Sequence, residues 1–321
     1  MRILALVPGG IGDQILFFPT LDDLRANYPE AEIDVIVEPR TKAAYRVCKS
    51  VDEVLTFDFK DRNGLADFGN LLGIIRDREY DVAISLGRRQ SIGLLLWMSG
   101  IPTRIGYDPS PGKLFLTNSV PLNTEQYAAF MYHDLLKGLG INTPCPELTL
   151  SLPKQDLEWA ENEKQRIGIA ESGYILIHNA ASQQAGEKGM DQTYPVKKWQ
   201  PILEDIQQKQ PDMPIVMLQQ PEDAQIAATM LQSFPDLKIT SPPDIGKLAA
   251  IIAGADLMIC TDGAPMHLAV AVGTYTIGLF GPTEAAKMLP PDSERFMGLQ
   301  SPTRWIADIQ PEDVLKQVWR G

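Results

Sequence analysis

The sequence is poor in the residues that build metal and redox chemistry. It has three cysteines, Cys48, Cys145 and Cys260, with no CxxC pair and no ligand-like spacing, and only three histidines in 321 residues. Neither a disulfide framework nor a zinc or histidine-rich metal site is expected, and a reducing cytoplasm fits this cysteine usage best. Positive charge is also scarce: 29 Lys and Arg face 41 Asp and Glu, a formal net charge of −12. Neutralising phosphates takes a basic face, so no nucleic-acid partner is expected. Long apolar runs are missing as well. The longest, SIGLLLWMSGI from Ser91, covers eleven residues, where a bilayer span takes about twenty. A buried helix is favoured there over a membrane-surface helix. The opening apolar run, Ile3 to Val7, is five residues long, too short for a signal-peptide core, and reads as a strand. Glycine and proline are dispersed, so no low-complexity tract is expected.

What is present is length and a repeating pattern. A chain of 321 residues suits two cores of about 150 residues each. The first half alternates β-branched runs with helical patterns: RILALVP, a helix from about Asp13 to Tyr28, EIDVIVE, a helix around Thr41 to Cys48, EVLTFD, a helix from Leu65 to Arg78, DVAISLG and the Ser91 helix. Such alternation builds a parallel sheet with helices on both faces. The proline-rich stretch GINTPCPELTLSLP, Gly140 to Pro153, breaks the rhythm and reads as a linker. The second half restarts it with YILIH, a helix after Pro195, PIVMLQ, a helix from Glu222, LKIT, a helix from Ile245 to Ala253, ADLMIC, a helix at Met266 and TYTIGLF. The expectation is α/β, with two doubly wound domains over residues 1–150 and 151–321 facing a cleft, ligands lying at the carboxyl ends of the strands.

Several motifs fall at those strand ends. PGGIGDQ follows the first strand, where Gly9, Gly10 and Gly12 allow a tight turn and close approach of an anion to a helix N-terminus. The GxGxxG spacing is incomplete. No acidic residue clearly ends a second strand as an NAD ribose ligand, although Glu38, after EIDVIV, is a candidate, which keeps a dehydrogenase as a minor alternative. Asp13 is either a first-turn acid favoured by the helix dipole or a functional carboxylate. TDGAPMHLAVAVG leaves the amides of Gly263 and Ala264 uncovered, puts Pro265 where a helix tolerates a missing donor, and offers Asp262 as a cap or loop anchor. Backbone amides and a helix dipole together suit a diphosphate. GLFGPTE adds Thr283 at a neighbouring strand end. Arg88 and Arg89 close DVAISL, and Arg104 and Tyr107 lie in TRIGYD; guanidinium groups there suit an anionic acceptor.

The blocks GGIGDQILFFPTLDDLRANYPEAEIDVIV, DVAISLGRRQSIGLLLWMSGIPTRIGY, YILIHNAAS and ADLMICTDGAPMHLAVAVGTYTIGLFGPTE, in that order from residue 1 to about residue 290, resemble glycosyltransferase family 9, the ADP-heptose:lipopolysaccharide heptosyltransferases. The resemblance implies a GT-B architecture of two Rossmann-like domains, with the acceptor on the N-terminal side and the nucleotide sugar on the C-terminal side. It implies inverting transfer without a metal or other cofactor, of a heptose from ADP-heptose to a hydroxyl of a lipopolysaccharide-type saccharide or glycolipid. The enzyme would be cytoplasmic, with a peripheral contact at the inner membrane surface open to it. In this family the aspartate of the first glycine loop, here Asp13, is the general base. Gly10, Gly12, Ser182, Lys188, Glu222, Asp262, Gly263, Ala264, His267 and Thr283 map to the donor, Glu222 to its ribose. Arg88, Arg89 and Arg104 map to the acceptor. Two departures stand out. The family has a hydroxyl residue and then glycine after the aspartate, whereas this chain has Gly263 and Ala264. The family lysine stands just before a Trp-Pro-like pair, whereas Lys188 is farther from Tyr194-Pro195. A nucleotide-sugar-binding protein without transfer activity and a nucleotide-sugar epimerase of the same architecture remain the alternatives.

Overall fold

The computed structural model describes residues 1–59, 64–170, 172–179, 193–220 and 224–320. The chain divides into two compact units, Met1–Leu148 and Thr149–Gly321. The division falls inside residues 141–153, which carry neither helix nor strand.

In the first unit six strands, β1 (Arg2–Val7), β2 (Glu32–Val37), β3 (Glu53–Thr56), β4 (Val82–Ser85), β5 (Thr103–Asp108) and β6 (Asn118–Pro121), form one parallel sheet in the order β3-β2-β1-β4-β5-β6. Its helices are α1 (Ile11–Asn27), α2 (Leu65–Asp77), α3 (Gln90–Ser99) and α4 (Ala128–His133). The central strands read as unbroken apolar runs because helices cover both faces of a parallel sheet, and Ile3 through Val7 are all fully buried. Leu4, Leu6, Ile36 and Ala83 of the sheet pack with Leu71 and Ile75 of α2 and with Ile92, Leu95 and Leu96 of α3.

The second unit repeats the plan. Strands β7 (Ile175–His178), β8 (Ile215–Leu218), β9 (Lys238–Thr240), β10 (Leu257–Thr261), β11 (Tyr275–Phe280) and β12 (Phe296–Gln300) are parallel, in the order β12-β11-β10-β7-β8-β9. The helices are α5 (Lys154–Arg166), α6 (Val196–Lys209), α7 (Ala224–Ser233), α8 (Ile245–Ala253), α9 (Ala264–Val272), α10 (Ala285–Met288) and α11 (Pro311–Val318). Its core gathers Trp199, Ile202 and Ile206 of α6 against Ile177, Met217 and Ile277 of the sheet, with Val314 of α11 closing one side.

Four differences from the sequence reading have physical causes. The segment expected as a helix near Thr41 is a 3-10 helix, Pro39–Val47, tied to its start by Thr41 N and Oγ1, which both donate to the Glu38 carbonyl at 2.9 Å. Strands β5, β6 and β12 were not expected: NSVP and FMGLQ are short and little buried, and TRIGYD, although Ile105, Gly106 and Tyr107 are buried, breaks its apolar residues with Arg104, Gly106 and Asp108 and so lacks an apolar signature. Helix α1 begins at Ile11, so Gly12 is helical and the glycine loop is shorter than expected. Helix α3 is not simply buried: Ile92, Leu95 and Leu96 face the core, while Leu94, Trp97 and Met98 are exposed.

Candidate functional site

Each sheet reverses its strand order once, between β1 and β4 in the first unit and between β7 and β10 in the second. In doubly wound sheets the crevice outside the carboxyl ends at such a reversal is where ligands bind. The glycine loop and Arg88-Arg89 follow β1 and β4; the Asp262-Gly263 turn follows β10. Most of the residues singled out in the sequence therefore meet at the two switch points.

At the first, Asp13 occupies the third position of α1 and folds back over the loop. Its Oδ2 accepts from Gly10 N at 2.8 Å, as a first-turn acid does in a capping arrangement. Gly9 makes room for this. Its φ of +142° is a conformation that side chains rarely adopt, and a Cβ there would run into the Asp13 carboxylate. The other oxygen, Oδ1, accepts from the Tyr132 hydroxyl at 2.8 Å, from α4 and 119 residues away. Burial, and then the Asp13 charge, push the Tyr132 phenol well above its ordinary range, so it stays protonated and donates. Gln14, next in α1, is fully buried and bridges the loop, donating to Val7 O at 3.0 Å and accepting from Tyr45 Oη at 2.8 Å. Gly10 thus belongs to the seating of Asp13, and Gly12 lies in the first turn of α1.

Arg88 and Arg89 are exposed where α3 begins. Arg89 Nη1 donates to Phe59 O at 2.8 Å, whereas Arg88 makes a long contact, 3.5 Å, to Pro109 O. Arg104 lies elsewhere, at the amino end of β5, where its Nε donates to Phe115 O at 2.8 Å and its Nη1 to Ile101 O. Its guanidinium braces the sheet at the end opposite the ligand loops. Tyr107 is buried and donates to Met131 O at 2.9 Å. Glu38 is also buried, its Oε1 accepting from Phe59 N at 3.2 Å. These last three side chains are committed to the fold.

At the second switch point β10 ends in buried Thr261, and Asp262, Gly263 and Ala264 follow, half buried. The N-cap of α9 is Gly263, which has no side chain to fold over the helix start, and Pro265 follows in the first turn. Helix α8 shows the contrast. There Asp244 Oδ1 accepts from Gly246 N at 3.0 Å and from Lys247 N at 3.1 Å, closing the N-terminus from within. The Gly263 and Ala264 amides instead present a helix N-terminus with its positive dipole end to whatever approaches. His267 is buried in the first turn of α9. After β11, the Gly-Pro-Thr loop is held by Gln300 of β12, whose Nε2 donates to Gly281 O at 2.9 Å and whose Oε1 accepts from Ala285 N at 2.9 Å. Thr283 Oγ1 in this loop is buried without a hydrogen-bond partner among the described residues.

The expected donor residues Ser182, Lys188 and Glu222 lie outside the described residues. The first of these segments is flanked by an amide clamp: Asn179 Nδ2 donates to Tyr194 O at 2.8 Å and its Oδ1 accepts from Tyr194 N at 2.9 Å. Sequence reasoning missed Tyr132, Gln300 and this clamp. Only Asn179 carried a signal, a polar residue directly after an apolar strand; the other two act through partners distant in sequence.

The family model of glycosyltransferase family 9 (heptosyltransferase) matches residues 70–318. A photosynthetic NDH subunit of subcomplex B 1, chloroplastic, from Arabidopsis thaliana is 25% identical over 334 residues, spanning 96% of this chain and 71% of that protein. Lipopolysaccharide heptosyltransferase 3 of Escherichia coli is 23% identical over 286 residues, spanning 85% of this chain and 81% of its own length. The solved structure of E. coli ADP-heptose lps heptosyltransferase II has a TM-score of 0.80 at 17% identity, covering 99% of this chain and 97% of that one. The two six-stranded parallel sheets are those of a GT-B fold.

Proposed function

The chain belongs to glycosyltransferase family 9, and on that premise we propose that it is an inverting, metal-independent transferase moving heptose from ADP-heptose to a hydroxyl of a lipopolysaccharide-type saccharide or glycolipid. The observation that carries this reading is the Asp262-Gly263-Ala264 turn, a side-chain-free helix start at the switch point of the second sheet. The second unit binds the donor. Gly263 and Ala264 amides and the α9 dipole take the diphosphate, and His267 and the Thr283 hydroxyl, which has no hydrogen-bond partner among the described residues, supply further donors. Ser182, Lys188 and Glu222 join them on the strength of the family resemblance, Glu222 at the ribose.

The first unit supplies the base and receives the acceptor. The acceptor oxygen attacks the anomeric carbon from the face opposite the diphosphate, the carbon–oxygen bond to phosphate breaks, and the hydroxyl proton passes to the Asp13 carboxylate. Charge growing on the departing diphosphate is stabilised by fixed amides in place of a metal ion. Arg88 and Arg89 engage anionic groups on the acceptor; Arg104 is left out of this role because its guanidinium is spent on Phe115 and Ile101 carbonyls. A glycolipid acceptor brings the enzyme to the inner membrane surface as a peripheral protein of the cytoplasm.

Thermal-shift measurements with ADP-, GDP-, UDP- and CDP-linked sugars and NAD test the reading. A ligand held by the native state stabilises it by RT ln(1 + [L]/Kd), about 2.7 kcal/mol at a hundredfold excess over Kd. Stabilisation by the ADP-sugar, followed by its consumption with a saccharide acceptor, is expected; stabilisation by NAD alone rejects it. A second reading, a nucleotide-sugar-binding protein that works as an assembly subunit, is favoured by the similarity to a subunit of a photosynthetic complex. Donor stabilisation without transfer to any acceptor would select it.

A further inference from the structure

The outer face of α3 has no role in the site described above, and its composition is unlike that of the chain as a whole. Leu94, Trp97 and Met98 stand at i, i+3 and i+4, so they line one face of the helix, and they are 38%, 56% and 42% exposed. Beside them a short 3-10 turn, Lys113–Phe115, projects Leu114, 87% exposed, while Phe115 rests against Trp97 with ring centroids 6.1 Å apart. The pair is held closely. A Cβ on Gly93 of α3 would lie 2.7 Å from Gly112 O, so only glycine lets the turn and the helix approach to this distance.

Cations outnumber acids around this face. From Val82 to Thr124 the sequence holds four basic residues, Arg88, Arg89, Arg104 and Lys113, and one acid, Asp108, a local balance of 4 − 1 = +3 in a chain of net −12. Arg76 of α2 adds a further exposed cation, its Nε and Nη2 donating to Met98 O at 3.1 and 2.7 Å. Asp77 and Asp108 are the acids at the border, and Asp108 is paired with Lys113. Arg104 braces the sheet and Lys113 is paired with Asp108, which leaves exposed Arg76, Arg88 and Arg89 as the cations bordering the face; four exposed apolar side chains beside them match the boundary of an anionic bilayer, where apolar groups enter the acyl region and long basic side chains meet headgroup phosphates. Tryptophan suits this level because its ring is apolar and its N–H is polar.

We propose that the α3 face with Leu114 is the surface by which the protein docks on a membrane rich in anionic phospholipid. The acidic remainder of the chain is repelled by such a membrane, so the same charge pattern also orients the molecule. The proposal gives a location to the peripheral contact in the proposed function but does not rest on transfer chemistry.

The test uses the full chain and vesicles without donor or saccharide, so its result is independent of the transferase reading. Wild type should co-sediment with vesicles of equal parts phosphatidylglycerol and phosphatidylcholine, release at high salt, and bind phosphatidylcholine alone only weakly. Trp97→Ser with Leu114→Ser should lower vesicle partition about 10- to 100-fold with an unchanged melting curve, since both side chains are exposed. Leu65→Ser, at a 93% exposed leucine on α2 outside this face, should bind as wild type. Trp97→Phe should keep binding while losing most of the fluorescence quenching that brominated acyl chains cause in wild type. Failure of wild type to bind, or full binding by the double variant, overturns the proposal. So does salt-insensitive binding to phosphatidylcholine alone, or a wild-type dimer abolished by the double variant without any vesicle binding, which would assign the face to self-association.

Discussion

Replacing Asp13 by Asn separates chemistry from folding at one side chain. The carboxylate accepts two hydrogen bonds at 2.8 Å, from Gly10 N and from Tyr132 Oη. Asparagine keeps the shape and one acceptor. With that oxygen on Gly10 N the cap survives, and the new amide faces the Tyr132 hydroxyl, which must turn to accept and leaves its own proton without its former acceptor. One buried hydrogen bond weakened in this way costs about 1–2 kcal/mol, a shift of several degrees in the melting of the first unit. Asp13→Ala removes both acceptors. It forfeits about 1 kcal/mol of capping and strands the buried Tyr132 hydroxyl at about 1–3 kcal/mol, so it should melt clearly below Asp13→Asn. Turnover should not follow this order. Both variants lose the base, so transfer from ADP-heptose to a truncated lipopolysaccharide should fall about 10²–10⁴-fold in each, with donor affinity nearly intact. Near-normal transfer by a folded Asp13→Asn refutes the base role. An Asp13→Asn chain that fails to fold would leave Asp13 as a cap and nothing more.

Gly263→Val should fold, because Gly263 is extended at φ 168° and its Cβ would meet, among the described residues, only Pro265 Cδ at an ordinary 3.7 Å. The loss of glycine at the N-cap costs roughly 1 kcal/mol, and the branched side chain covers the amides; unchanged ADP-sugar affinity by calorimetry would place the anion site elsewhere. Arg88→Ala with Arg89→Ala should raise the acceptor KM and leave donor Kd alone, and a change confined to the donor would reassign both residues. Glu163 accepts from Arg166 Nε and Nη2 and from Thr240 Oγ1, each at 2.7 Å, and these bonds, Arg166 foremost, hold its carboxyl below the usual carboxylate range. A folded-state value below the unfolded one gives stability that is full at neutral pH and disappears as pH falls through the depressed value. Glu163→Gln should therefore destabilise the second unit by about 1–3 kcal/mol at neutral pH and by little in acid; an equal loss under both conditions contradicts the pairing.

The sequence by itself determined the class of fold and placed the candidate site residues at strand ends. Alternating apolar strands and helical patterns require a parallel sheet covered on both faces, and glycine-rich turns directly after strands must fall at carboxyl ends, where ligands bind. These are local properties: each strand's burial and each turn's chemistry lie within a few consecutive residues, as at Asp262 to Pro265. Strands β6 and β12 escaped because burial was too incomplete to leave a pattern, and β5 because Arg104, Gly106 and Asp108 interrupt its apolar residues. The tertiary structure decided what depends on neighbours distant in sequence. Packing of α4 on α1 brings Tyr132 to Asp13 across 119 residues, the pairing of β11 with β12 brings Gln300 to the Gly-Pro-Thr loop, and the course of β5 places Arg104 at the sheet end away from the ligand loops. Helix α3 shows the same limit. Apolar side chains on all sides give the helix no periodicity to distinguish inside from outside, so only the packing of Ile92, Leu95 and Leu96 onto the sheet decided that Leu94, Trp97 and Met98 face outward.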